Sequence, residues 1–247
     1  MKSLGLAVLA IALLAPACAA PSAREDGGDV VDGDDAVGNE TDYTTWEPLV
    51  RAAGATPHPG GLVTVLGIRG RGLEGERHDA TSKEAYDDTF VVLKPDHTAI
   101  ILAGSTHPFQ ARGVSGVPDV DGDGALDVGR IRPGQYLAVG RGNTRLVGGL
   151  PAYDVVTFDG RDGRLPGVRD TNHDGVFDAE ESERSLGRND GLTAVLFHHG
   201  DKGAPAVVGC QVLSAASMKT LIRAVGGAAT KFHYVLVDAP PEESEPR

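Results

Sequence analysis

A mainly β fold is what this sequence predicts, an antiparallel β domain with one or two packed helices, and three observations point to it. Short apolar, β-branched runs recur between residues 62 and 237. Glycine is abundant, 34 of 247 residues, and clusters with Pro, Asn and Asp between those runs, where turns need it. Helical spacing appears in only two windows, 44–54 and 214–225.

The chain begins with one Lys2, an apolar run from Leu4 to Leu14, then Ala15-Pro16-Ala17-Cys18. That run is short for a membrane span and has the flanks of a cleaved signal. Leu14-Ala15-Pro16-Ala17-Cys18 resembles a lipobox, with the usual Leu one place further from the Cys; plain secretion is the alternative. Lipidation of Cys18 would give an exported lipoprotein, and Ala19 after it implies an outer-membrane or periplasmic location, membrane contact being through the lipid only. Residues 19–44 hold eight Asp/Glu and one Arg with little to bury, so they read as a solvated tether. Residues 45–239 suffice for one domain with a sizeable core, and 240–247 form a polar tail. A net charge of −12, without a basic stripe, argues against nucleic acid as a partner.

Within the domain, Thr44 to Gly54 reads as a helix with a capping Thr and a closing Gly. Strands follow at 62–68, at 88–94 with 97–103 as a hairpin turning at Pro95-Asp96, and at 135–139, 153–158, 192–198, 207–213 and 232–237. Ser214 caps a second helix with Met218, Leu221, Ile222 and Val225 on one face. His58, His78, His97 and His107 lack metal-ligand spacing and are expected at the surface, and Asp154 is a candidate to orient a histidine. The glycine cluster at 67–72 lacks the helix and acidic residue of a dinucleotide site and reads as a loop.

Two acidic segments carry calcium-ligand spacing. Asp170, Asn172, Asp174, Val176, Asp178 and Glu181 fall at positions 1, 3, 5, 7, 9 and 12 around Gly175, a pattern that resembles an EF-hand loop. Leu165-Pro166-Gly167 breaks the lead-in, so a free-standing loop without flanking helices is expected. Asp119, Asp121, Asp123 and Asp127 repeat the first nine positions, with Arg130 where the bidentate Glu belongs. Calcium would order either loop; the bland alternative is an Asp/Asn/Gly turn.

The remaining constellation is Phe197-His198-His199-Gly200 followed by Gly209-Cys210-Gln211. A cysteine near an upstream histidine is what thiolate acyl transfer requires, and a small buried core residue is the alternative. The order Arg132-Pro133-Gly134-Gln135-Tyr136, Val168-Arg169-Asp170, His198-His199-Gly200, Gly209-Cys210-Gln211-Val212 and Phe232 to Leu236 resembles a phage and bacterial family that is itself similar to the YkuD-type L,D-transpeptidases. The likeness spans about 86–237. It implies a YkuD-like fold with Cys210 as nucleophile, His198 or His199 as base, and Gly209 shaping the turn before the sulfur. The implied reaction is acyl transfer from a peptidoglycan stem peptide to an amine or water. Val207-Val208 stand where the family has a Ser-containing pair, no Arg closely follows Cys210, and the His-to-Cys interval is short.

Two functions of different class follow. One is a cell-envelope lipoprotein acting as an L,D-transpeptidase-like cysteine acyltransferase on peptidoglycan. The other is a non-catalytic calcium-binding envelope protein. They part at Cys210: the enzyme requires an accessible thiol with a histidine nitrogen in reach, the binder a buried sulfur with apolar neighbours.

Overall fold

The computed structural model describes residues 39–78, 86–108, 117–160, 163–200 and 209–239. The leader with Cys18, the tether up to residue 38, Val207-Val208 and the tail lie outside the described residues. The fold is mainly β. In chain order its elements are β1 (Asn39–Thr41), α1 (Tyr43–Ala52), β2 (Thr64–Arg69), β3 (Asp88–Leu93), β4 (Ala99–Ser105), β5 (Val128–Ile131), β6 (Gly134–Gly140), β7 (Leu146–Val147), β8 (Leu150–Pro151), β9 (Tyr153–Thr157), β10 (Leu165–Asp170), α2 (Ala179–Arg188), β11 (Gly191–Leu192), β12 (Leu196–His199), β13 (Gln211–Leu213), α3 (Ala215–Ala224) and β14 (Lys231–Asp238).

The main sheet runs β4-β13-β12-β9-β6-β14-β2-β3, and β3 pairs back onto β4 to close a barrel-like ring. Most pairs are antiparallel; β12–β13 and β14–β2 are parallel. Inside, Phe90, Phe197, Phe232 and Tyr234 meet edge to face or stacked, and Met218 and Leu221 of α3 join the same core. Outside, α1 lays Tyr43, Trp46 and Val50 over Leu66, Ile68, Val91 and Val235. The cap of α1 is Asp42, whose carboxylate accepts from the Thr44 amide, so the folded part begins before residue 45.

A second sheet, β5-β10-β11, packs beside α2 and holds both acidic segments. The residues expected as one strand, 192–198, are split between the sheets. Ala194 takes a left-handed φ of 56°, which breaks the run into β11 and β12. Pro166 lies near the start of a strand, β10, so a strand and not a helix leads into the second acidic loop. Buried Arg69 ties the two sheets together by donating to the carbonyls of Thr106 and Ile131.

Candidate functional site

Three side-chain groups carry chemistry, and the fold places each differently. The acidic loops lie side by side, because β5 leaves the first and β10 enters the second, with Val128 opposite Asp170. In the second loop Asp170 Oδ2 accepts from the Gly175 amide, Asn172 Oδ1 from Asp174 and Asp174 Oδ1 from Val176. The first repeats this: Asp119 Oδ2 accepts from Gly124, Asp121 Oδ1 from Asp123 and Asp123 Oδ1 from Ala125. The loop amides thus fix one oxygen of each of these side chains, and the second oxygens of Asp119 and Asp174 also accept within their loops, from the Gly122 amide and Asn172 Nδ2. Gly122, Gly124 and Gly175 have the positive φ these turns need.

Glu181 is fully buried and Asp170 3 % exposed. Glu181 Oε1 takes the amides of Thr171 and Asn172, whereas Glu181 Oε2 and Asp170 Oδ1 accept no hydrogen bond from any described residue. Burial raises the pKa of both carboxyls, and each raises the other's or is raised by a neighbouring Asp. Buried acceptors without donors are costly, and a cation is the partner such oxygens suit. In the first loop oxygens of Asp119, Asp121 and Asp127 lie within 4.8 Å of one another. His173 of the second loop reaches across to Asp127 Oδ1 at 3.4 Å. Arg130 does not supply a ligand. It donates to the Phe177 carbonyl and lies over the Phe177 ring, and burial with the Arg69 charge lowers it to about 9.

The expectation of no flanking helix is corrected at one end. Asp178 accepts from the Glu181 amide at 2.8 Å and starts α2, which closes at Asn189 in the left-handed region. Asp178 is thus a helix N-cap that the ligand reading had absorbed, while the Glu181 side chain turns back to the Thr171 and Asn172 amides and not to Asp178. Position 9 therefore caps the helix, and position 12 lies in its first turn.

Cys210 and His198 lie on neighbouring parallel strands. His198 pairs with Val212, and the Leu196 amide donates to Cys210 Sγ at 3.4 Å, so both side chains project from one face, one step apart. Gly209 takes φ 67°, as expected for the turn before the sulfur, and a Cβ there would run into Leu192. Gln211 accepts from the Tyr234 hydroxyl and donates to the Gly209 carbonyl, fixing the turn from within. The sulfur itself is fully buried among Leu196, Val212, Tyr86 and Val147. It is also in a disulfide, which corrects the expectation of a thiol. His198 Nδ1 lies 2.7 Å from the His199 carbonyl, leaving Nε2 as the basic nitrogen. Both His199 nitrogens face carbonyls, of Gly148 and Gly200, which suits a donor rather than a base.

The third group is one the sequence reading dispersed. His78 and His107, expected at the surface, converge with Asp87 and Asp88, and His107 is 1 % exposed. Asp88 accepts the amides of Gly70 and Thr106. Burial would raise its pKa, but hydrogen bonds from His107, His78 and Thr106 hold it well below the carboxylate range. Asp154 pairs with Arg141 and Arg145 and, among the described residues, not with a histidine. No protein-family model, curated protein or solved structure matches the chain.

Proposed function

We propose that the protein is a calcium-binding envelope protein, exported to the outer membrane or periplasm, in which a YkuD-like β domain carries two ion-stabilised loops and Cys210 is a structural sulfur. The observation that carries this reading is the pair of buried acceptors, Asp170 Oδ1 and Glu181 Oε2, inside a loop whose amides are already spent on the opposite oxygens. Calcium takes six to eight oxygens, and Asp170, Asn172, Asp174, the Val176 carbonyl and Glu181 offer a set of that kind. The Asp119 to Asp127 loop lacks the position-12 carboxylate and is the weaker site. The YkuD-like assignment is supported by chain order: the Pro133-Gly134-x-Tyr136 strand β6 lies beside β14, and Gly209-Cys210-Gln211 opens β13 just ahead of α3. Peptidoglycan is the partner that the resemblance supplies.

Calorimetric titration of the demetallated protein with calcium tests it, with magnesium as control. Uptake by wild type and loss in Asp170→Asn and Glu181→Gln are expected. No heat and no thermal shift with calcium would sink the reading.

A second reading, acyl transfer on peptidoglycan stem peptides, draws on the shared face of Cys210 and His198. It requires the thiol form, which a dithiol reductant supplies by disulfide exchange. Iodoacetamide labelling of the reduced, folded protein across pH 5 to 9 separates the two. Rapid labelling near neutral pH that His198→Ala slows would favour the enzyme; labelling only after denaturation favours the binder.

A further inference from the structure

At the opposite end of β10 from the acidic loops, between β11 and the C-terminal end of α2, lies a cavity of about 140 Å³. A water's share of liquid volume is about 30 Å³, so the space matches a solute of roughly five heavy atoms. Its walls are of two kinds. Leu165, Pro166 and Leu186 are apolar, and Leu186, 68 % exposed, is the most exposed large apolar side chain among the described residues. Arg132 and Arg164 are cationic.

The two guanidiniums are held differently, and neither has a carboxylate partner among the described residues. Arg132 donates Nε to the Gly167 carbonyl and Nη2 to the Ser182 carbonyl, which fixes it between β10 and α2 and leaves Nη1 to spare. Arg164 is exposed and lies along Gly191, where a Cβ would come within 2.8 Å of the Arg164 Cβ and 3.0 Å of its Nε. Glycine at 191 is therefore what lets this side chain lie beside the cavity. Asp190, the acid in the lining, is already neutralised: Arg188 donates to it through Nε and Nη2, at 3.1 and 2.7 Å. The Ser185 and Leu186 carbonyls at this end of α2 accept the Asn189 and Asp190 amides. The local field is thus positive on a chain whose net charge is −12.

We propose that this cavity binds a small monocarboxylate with a short apolar substituent. Its carboxylate lies between Arg132 Nη1 and the Arg164 guanidinium, and its carbon chain lies against Leu165, Pro166 and Leu186. Guanidinium groups present paired N–H donors that match the two oxygens of a carboxylate. Sulfate or phosphate would set oxygens against the apolar walls, where no donor meets them.

The test is titration of the isotope-labelled, untagged protein with sodium propionate, followed through its amide resonances, with sodium sulfate and sodium chloride at matched ionic strength as controls. Saturating shifts at Asn189, Asp190 and Gly191 are expected, with a dissociation constant on the order of 1 mM for so small a ligand. Arg164→Gln should weaken binding about tenfold. Leu186→Asp, which sets a like charge at the mouth, should weaken it by about as much; both positions are exposed, so the native amide spectrum is expected in each variant. Wild type without saturating shifts at tens of millimolar propionate overturns the proposal. Sulfate that produces the same shifts at the same concentration overturns it as well, because the site then reads charge alone. Binding undiminished in both variants does so too, since the carboxylate is then held elsewhere.

Discussion

The acidic loops and the cysteine face bury their central groups to the same degree but against different surroundings. Glu181 and Cys210 are both fully inaccessible. Around Cys210 lie apolar side chains, one donated amide and the disulfide, all supplied without an ion. Around Glu181 one oxygen is satisfied and the other faces acids. Burial alone therefore does not distinguish a core residue from a binding residue. What distinguishes them is whether the chain itself supplies the partner.

If the contrast holds, damage on the cysteine face costs the same with or without calcium, and damage in the loop costs only when calcium is present. Leu196→Ala, which opens the cover over the sulfur, is expected to destabilise by about 2–5 kcal/mol in chelator and in calcium alike, read by urea unfolding. Calcium at a hundredfold excess over its Kd should stabilise wild type by about 2.7 kcal/mol. For a domain of this size that is roughly 5–11 °C in Tm, and Glu181→Gln should show little of it. A shift that survives in Glu181→Gln would break the comparison. Gly209→Ala, forced against Leu192 at a left-handed φ, should cost about 1–3 kcal/mol whatever the ion.

A smaller effect sharpens the electrostatic side. The folded-state pKa of Glu181 is raised above its ordinary 4.5, chiefly by burial. An acid raised on folding is penalised once ionised, so its contribution is most favourable below the unfolded pKa and declines as pH rises through the folded one. In chelator, the stability of wild type relative to Glu181→Gln should therefore fall between about pH 4.5 and the raised value. In calcium, which needs the ionised form, the trend should reverse. Parallel denaturation midpoints of the two proteins from acid to neutral pH check this, and equal slopes in chelator would count against a strained Glu181.

Much of this was legible in the sequence where a local rule governs. The Pro95-Asp96 hairpin and the Ser214-capped helix depend on residues a few places apart, and the structure places them as expected. The split of 192–198 was not legible, because it turns on Ala194 adopting a conformation that its residue type disfavours. The cap of α2 was hidden because Asp178 serves two patterns at once. The His78, Asp87, His107 cluster escaped because spacing rules look along the chain, whereas it forms across a hairpin. Asp88 pairs with Gly104 in the β3–β4 register, which brings His107 beside it. That register follows from the turn, so the contact was within reach of a reading that extended the hairpin to its open end.

The ring of strands also has an uneven seam. Along one edge of β4, Gly104 and Ser105 are paired by β13, while Ala99 to Ile101 are paired by the three residues of β1. A protease that trims the approach to the domain as far as Asp42 would bare the amides and carbonyls of that short stretch. Bared backbone of this kind is a template for a strand from another molecule. Where the approach is cut thus sets whether that edge of β4 stays covered.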